Sequence, residues 1–197
     1  MRKYFQQKNK KKGFTLVETL VAISIFTMSV LAVMTVLGGS ITSTNYAKQK
    51  MIASYLAQEG IEYIRNMRDT YVLYSTDGQT GWNDFNSKLI PSPDTLCASA
   101  DGCFFNADGL NYADKSKPMT KISFTACSTS DCQNGMLGYD STTGKYDFSG
   151  TASGFKRKID VTTISSDEIK ITSTVFWTQG SGNYNITFSE NLFNWVE

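Results

Sequence analysis

The sequence contains no histidine among its 197 residues. This absence excludes the Ser-His and Cys-His pairs that activate many nucleophiles, and it removes imidazole as a metal ligand. No other nucleophile or metal motif replaces it. We therefore expect no catalytic residue, no metal site and no cofactor, and we interpret the protein as a structural or binding protein, not an enzyme. The less favoured alternative is calcium binding by Asp77, Asp101, Asp108 and Asp114, whose Asp-Gly pairs are better explained by turns.

Acidic residues are missing from the first thirteen positions. These positions hold six cations: Arg2, Lys3, Lys8, Lys10, Lys11 and Lys12. Of the 19 basic and 18 acidic residues in the chain, 13 basic and all 18 acidic ones lie beyond this end, a net charge of −5. A basic end before an apolar run marks the cytoplasmic side of a membrane segment. An acidic remainder argues against a nucleic-acid-binding body. We interpret residues 1–13 as a leader peptide.

Charge is almost absent from Phe14 to Leu37, where Glu18 is the only ionised side chain. The run is long enough to cross a hydrocarbon core, which needs roughly 20 residues. A carboxylate at the bilayer centre costs about 2.5–3.5 kcal/mol. The simpler interpretation of Glu18 is an acid that the dipole of a helix start favours. The alternative is that this carboxylate has a function.

Gly38 and Gly39 interrupt the apolar run. They mark either the end of a membrane helix or a soft joint within a longer one, and the return of helical periodicity favours the joint. The residues that recur at helical steps are Met51, Ile52, Tyr55, Leu56, Tyr63, Ile64 and Met67, and Gly60 lies on the same side. We predict one helix from Phe14 to about Arg68, with a transmembrane and assembly half at 14–39 and an amphipathic half at 40–68.

The remaining residues, 69–197, are expected to form an extracytoplasmic head. The first part, 69–121, is a variable loop that contains a short helix around 82–89, and residues 94–121 are expected to have little regular structure. The second part, 122–197, alternates with a period of two and is predicted to be a β-sheet.

The predicted sheet is antiparallel because its strands follow one another through short turns. Residues 136–139 and 145–148 form a candidate hairpin, and three longer strands form a meander. Their apolar faces carry Phe155, Ile159 and Val161; Ile169, Ile171, Val175 and Trp177; and Tyr184, Ile186 and Phe188. The amphipathic half of the helix is the natural cover for this sheet, so the fold class is α+β.

Four cysteines lie beyond the membrane segment: Cys97, Cys103, Cys127 and Cys132. In an exported head an even count indicates disulfides, and four cysteines allow three connectivities. The short separations favour the two local pairs over the crossed ones, as bridges that stiffen surface loops. Thiolate zinc ligands are the less favoured alternative because the spacings do not fit.

Lys156, Arg157 and Lys158 form a short basic cluster on a predicted strand. Such a cluster is usually a solvated strand edge. The functional alternative is a contact with DNA or another anionic surface.

The motif from Lys12 through Gly13, Phe14, Thr15, Leu16 and Val17 to Glu18 resembles the processing and methylation site of type IV pilin-like prepilins. The resemblance implies a pilin-like fold, and cleavage between Gly13 and Phe14 by a prepilin peptidase. It also implies N-methylation of Phe14. Glu18 would then pair with the charged Phe14 terminus of a neighbouring subunit and set the register of assembly.

The resemblance also implies partners and a location. The partners are the peptidase, other pilin or pseudopilin subunits and the inner membrane, where the prepilin spans once before it enters a surface filament. Many pilins carry a proline where this chain has Thr35, and many close a C-terminal loop with two cysteines that are not recognisable here. We therefore expect a minor pilin.

Three alternative functions remain open at this point. One is a pseudopilin of a type II secretion system, and another is a tip or competence subunit whose head binds DNA or a surface. The third is a membrane-anchored extracytoplasmic enzyme, which the lack of histidine and of a nucleophile or metal motif disfavours.

For the N-terminus, the alternative is a signal peptide cleaved near Gly38 to Ser40, which the length of the apolar run disfavours.

Overall fold

A computed structural model describes residues 13–92, 95–106 and 122–195. The chain divides into two compact units, Met1–Asn45 and Tyr46–Glu197. The leader peptide predicted at 1–13 lies outside the described residues except for Gly13. The elements are α1 (Leu16–Tyr74), α2 (Gly78–Leu89), β1 (Cys103–Asn106), β2 (Ser123–Ala126), β3 (Met136–Asp140), β4 (Lys145–Asp147), β5 (Thr151–Ser165), β6 (Glu168–Gln179) and β7 (Gly182–Phe193).

Helix α1 continues through Gly38 and Gly39 without interruption and ends at Tyr74, beyond the predicted end near Arg68. The extension has a tertiary cause, because Val72 is buried and Tyr71 packs against the core. A turn-rich composition after Arg68 gave no sign of these contacts. The helix is thus one element in which a pair of glycines is tolerated, at a cost of about 1 kcal/mol for each glycine relative to alanine.

The buried face of α1 in the second unit is the predicted one at most positions. Leu56, Gly60, Ile64 and Met67 are buried, and Ile52 and Tyr63 pack against the core. Met51 and Tyr55, both predicted to face the sheet, are the exceptions, at 58% and 64% exposed. The residues of α1 that are buried are Ala53, Leu56, Ala57, Gly60, Ile61, Ile64, Met67 and Val72.

The small residues of this face allow the helix to approach the sheet closely. A Cβ built on Gly60 would lie only 2.6 Å from Ser173 Oγ. Small residues therefore contribute to the face together with the large apolar ones.

Helix α2 begins at Gly78, earlier than the residue 82 expected from its apolar spacing. The start is fixed by Asp77, whose carboxylate accepts a hydrogen bond from the Thr80 backbone N–H at 2.8 Å. This is an N-cap, which satisfies one of the free donors in the first turn. The helix buries Trp82, Phe85 and Leu89 in the main core.

Asp77→Ala is expected to lower the melting temperature of the head at neutral pH. The hydrogen bonds from Thr80 lower the pKa of Asp77 below its ordinary value. A lowered pKa in the folded state means that the contribution is complete above the ordinary pKa and is lost as pH falls through the folded one. The melting difference between the two proteins should therefore shrink on acidification, and a difference that stays constant would contradict the role of the charge. Asp77→Asn, which keeps an acceptor without a charge, is the control.

Within the described residues the sheet has seven strands, with β5 in its interior. Strand β5 pairs with β6 along most of its length, and also with β3 and β1. Strands β3 and β4 form the predicted hairpin, and β5, β6 and β7 form the predicted antiparallel meander, so both predictions are confirmed. All the pairs are antiparallel.

Strand β1 was not predicted, because it lies within the region 94–121 that was expected to have little regular structure. It pairs with β2 over four residues and meets β5 where Cys103 lies opposite Ile159. Four residues are too few for a clear alternation, and the strand exists because of partners far along the chain. The rest of this region between β1 and β2, residues 107–121, lies outside the described residues.

The core of the second unit consists of two apolar clusters between the sheet and the helices. One joins α1 and α2 to β1, β5, β6 and β7 around Ile64, Phe85 and Ile159. The other joins α1 to β3, β5 and β6 around Leu56, Phe155 and Trp177. The predicted α+β architecture, a long N-terminal helix packed on a C-terminal antiparallel sheet, is thus confirmed.

The four cysteines form two local disulfides, Cys97–Cys103 and Cys127–Cys132. They do not stiffen only surface loops, as the sequence had suggested. Cys97 and Cys103 are fully buried within the larger core cluster. This bridge therefore ties β1 to the short 3-10 turn before it from inside the core.

Candidate assembly segment

The start of α1 is capped by Thr15. Gly13, Phe14 and Thr15 are not helical, and the Thr15 hydroxyl accepts a hydrogen bond from the Glu18 backbone N–H at 3.2 Å. The Thr15 carbonyl accepts the first helical hydrogen bond, from the Thr19 N–H at 3.1 Å. Threonine at the cap and an acid three residues later is the sequence signature of a capped helix start. The motif contains this signature, although the cap was not predicted from the sequence.

Glu18 lies in the first turn of α1 and is the sole acidic residue there. Its carboxylate has no hydrogen bond or ion pair within residues 13–92, 95–106 and 122–195. The helix dipole favours an anion at this end, but by only about 0.3–1 kcal/mol. In a hydrocarbon environment that gain is smaller than the cost of the charge, which is about 2.5–3.5 kcal/mol. A cation from elsewhere would offset the remaining cost of this charge in hydrocarbon.

In the described part of the first unit, the large apolar side chains are exposed. Phe14 is 80% exposed, and every large apolar residue from there to Ile41 is exposed by at least 38%. Helix α1 is long and apolar enough to cross a membrane by length and composition, with a mean hydropathy of 2.5 in its most apolar window. Such a surface is stable only in lipid or against other apolar helices.

The hydroxyl groups of this segment are satisfied within the helix. Their side chains donate to backbone carbonyls three or four residues earlier, at 2.8 to 3.2 Å. The donors are Thr19, Ser24, Thr27, Ser29, Thr35, Ser40, Thr42 and Thr44. Back-bonding of this kind lowers the cost of placing hydroxyls in lipid. Glu18 is thus the only charged side chain among the described residues 13–45, and it has no hydrogen bond of this kind there.

The predicted joint at Gly38 and Gly39 lies within regular helix. A Cβ added at either glycine would meet nothing within 4 Å. Neither glycine is therefore required by close packing within the described chain. Their effect is on backbone freedom, and the softness of this point stays a prediction.

The comparisons with known proteins identify this same stretch. A family model described as the prokaryotic N-terminal methylation motif matches residues 8–38. This match supports the resemblance of the N-terminal segment to that of type IV pilin-like prepilins. No curated protein and no solved structure matches the chain.

The prepilin motif implies processing by a prepilin peptidase and assembly with other pilin subunits. Together with the apolar helix, it supports anchoring in the inner membrane. Prepilins of this type are structural proteins, not enzymes. The match ends at Gly38, so it says nothing about the head.

The basic cluster of the head is not a continuous patch, and β5 is not a sheet edge. Arg157 is 4% exposed and points to the helix side of the sheet. Lys156 and Lys158 are on the opposite face, where they form ion pairs with Asp131 and Asp160. The alternation along β5 separates the middle cation from its neighbours. The idea that these three residues form one anionic-ligand site was therefore wrong.

Arg157 instead joins the sheet to α1. Its guanidinium donates to Glu59 Oε2 at 3.1 Å and to the Leu56 carbonyl at 3.4 Å, and it lies 4.6 Å from the centre of the Phe105 ring. Burial lowers the pKa of Arg157, while the Glu59 carboxylate raises it. The signal was available in the sequence, because position 157 shares a strand face with the apolar Phe155 and Ile159.

Proposed function

We propose that the protein is a structural subunit, most simply a minor pilin, of a type IV pilus or a related filament. The observation that supports this most strongly is the coincidence of the motif at 8–38 with an exposed apolar helix whose one carboxylate lacks a partner. The segments at 14–39 and 40–68 would anchor and assemble the subunit. The folded unit beyond them would be the extracytoplasmic head, exposed on a cell-surface filament after assembly.

The chemistry of the motif supplies the missing cation. Cleavage after Gly13 creates an amine on Phe14, and methylation keeps this amine cationic. Phe14 and Glu18 are both exposed at the start of α1, where a neighbouring subunit can approach. A pair between Glu18 of one subunit and the Phe14 amine of the next would offset the cost of both charges in low dielectric. It would also favour one axial offset between helices over the others.

A pseudopilin of a type II secretion system is the second candidate, because a pseudopilin would use the same motif and the same helix. A tip subunit that binds DNA or a surface is a weaker candidate. The cluster at Lys156 to Lys158 does not offer it a cationic patch.

The processing step is testable by the intact mass of the chain. Co-expressed with a prepilin peptidase, the protein is expected to lose residues 1–13 and to gain one methyl group on Phe14. The control is the same chain without the peptidase, which should keep its leader. A mature chain that starts near Ser40, or one that keeps Met1 in the presence of an active peptidase, would contradict the proposal.

A further inference from the structure

The cysteines of both disulfides are hidden inside the second unit. In the first bridge, Cys97 and Cys103 are each 0% exposed, and in the second bridge, Cys127 and Cys132 are 7% and 0% exposed. Thiol–disulfide exchange requires that a thiolate attack a sulfur atom directly. An oxidising enzyme has no such access once the head is closed, so the bridges form on a more open chain.

Pairing of β1 with β2 brings cysteines of the two bridges close together. Cys103 lies opposite Ala126, and the next residue, Cys127, donates its N–H to the Gly102 carbonyl at 3.0 Å. Free thiols in this arrangement would have crossed partners as well as local ones. A first bridge that forms before the strands pair avoids this competition, because Cys97 and Cys103 are only six residues apart in the chain.

Strand β1 has little support of its own in the sheet. It has four residues, and among the described residues Cys103 opposite Ile159 is its single register position on β5. The turn before it contains two positive φ angles, 30° at Leu96 and 69° at Gly102. A positive φ is unfavourable for a residue with a side chain such as leucine. The first bridge joins the two ends of this turn and therefore holds β1 where it meets β5.

The two bridges differ in their relation to the apolar core. The first bridge belongs to the larger core cluster, together with Phe105 and Ile159. Two unbonded sulfurs lie further apart than two bonded ones, and a close-packed core resists added volume. The second bridge belongs to neither cluster of described core residues. Reduction of the first bridge should therefore disturb the packing of β1, whereas reduction of the second should have less effect.

We propose that the head is the substrate of an extracytoplasmic dithiol–disulfide oxidase, and that the first bridge forms before β1 and β2 join the sheet. A thiolate of the Cys97 and Cys103 pair attacks the disulfide of the oxidase, forms a mixed disulfide and displaces one thiolate of the enzyme. The second cysteine of the pair then attacks the mixed disulfide, which closes the first bridge and releases the reduced enzyme. Two electrons and two protons pass from the pair to the oxidase. This inference rests on the proposed function in one respect, because it requires a head outside the cytoplasm.

The order of events is testable during refolding of the full, reduced chain in detergent, started with an oxidised thioredoxin-fold oxidase. Samples are given a pulse of deuterium, and their free thiols are blocked with an alkylating tag. A peptide that spans Cys97 to Asn106 then reports the state of the first bridge and the protection of β1 in the same molecule. We expect protected β1 amides in untagged peptides only. Doubly tagged peptides with a protected β1 would overturn the inference.

Paired variants test the difference between the bridges. Cys97→Ala/Cys103→Ala should increase hydrogen exchange of the β1 and β2 amides by at least about tenfold, because local opening of these strands becomes easier. The matched control, Cys127→Ala/Cys132→Ala, should change it much less. Equal effects of the two variants, unfolding of both included, would show that the first bridge has no special role.

The part played by the oxidase is tested in cells that make the full chain together with a prepilin peptidase, with and without an active extracytoplasmic oxidase. Intact mass after thiol tagging reports both the loss of the leader and the number of free thiols. We expect a processed chain without tags when the oxidase is active, and a processed chain with tags when it is not. A processed chain whose thiols ignore the oxidase overturns the inference alone, whereas a chain that keeps its leader contradicts the proposed function.

Discussion

Replacement of Glu18 by glutamine is expected to leave membrane insertion intact and to reduce incorporation into filaments by at least tenfold. Insertion should not suffer, because removing a carboxylate from an apolar segment lowers its cost in the bilayer. Incorporation should suffer because the amine of the neighbouring Phe14 is left buried without an anion. Breaking a buried pair on one side costs about 3–5 kcal/mol, and each 1.4 kcal/mol is a factor of ten. Co-expression with the other subunits, followed by quantification of the protein in sheared filaments, measures the effect.

The controls for Glu18 separate charge from packing. Ser24→Ala changes the same apolar helix at a hydroxyl that is already bonded to the Leu20 carbonyl, so incorporation should be normal. Glu18→Lys places like charges together and should be at least as defective as glutamine. Normal incorporation of the glutamine variant would remove the proposed pair, while failure of the Ser24 variant would point to general fragility of the helix.

The elements that the sequence predicted well are those with a strong local pattern. The alternation around Ile169 to Trp177 and around Tyr184 to Phe188 was sufficient for the meander, since a half-buried strand needs a period of two. The apolar run with its single charged residue, Glu18, was also recognised from the sequence, because a charged side chain in such a segment is costly and therefore stands out. Local pattern and three-dimensional structure agree in these places.

The features that the sequence did not predict depend on contacts between distant residues. Strand β1 has only four residues and exists because β2 and β5 pair with it. On the face of α1, the burial of Ala53 and Ala57 was not predicted, and Met51 and Tyr55 are exposed against the prediction. Small residues give a weak hydrophobic signal, although they allow the closest packing of a helix on a sheet.

The motif located the assembly segment, but the helix cap within it was not predicted. Thr15 was treated as a mild polar residue, whereas its hydroxyl caps the helix that carries Glu18. Similarly, Arg157 was grouped with its neighbours in sequence, Lys156 and Lys158. Strand geometry separates residues that are adjacent in the chain, and the alternation with Phe155 and Ile159 places Arg157, not the two lysines, on the buried face.

The second large effect is expected at the pair formed by Arg157 and Glu59, and it should be asymmetric. The Arg157 side chain is 5% exposed, whereas that of Glu59 is 40% exposed. Glu59→Ala leaves a guanidinium buried without its anion and should lower the free energy of unfolding by about 3 kcal/mol. Arg157→Met fills the same space without a charge and leaves a carboxylate that water can solvate, so it should cost about 1 kcal/mol or less.

Denaturant unfolding of the chain in detergent, followed by tryptophan fluorescence, measures these differences. Glu62→Ala is the matched control, because this carboxylate lies one turn along α1 and its pair with Arg65 is exposed. It should cost under about 1 kcal/mol. The double variant Glu59→Ala/Arg157→Met should regain most of the stability lost in Glu59→Ala, a coupling that only contacting residues show. Additive losses, or a larger loss for Arg157→Met than for Glu59→Ala, would show that the arginine contributes by packing and not by its charge.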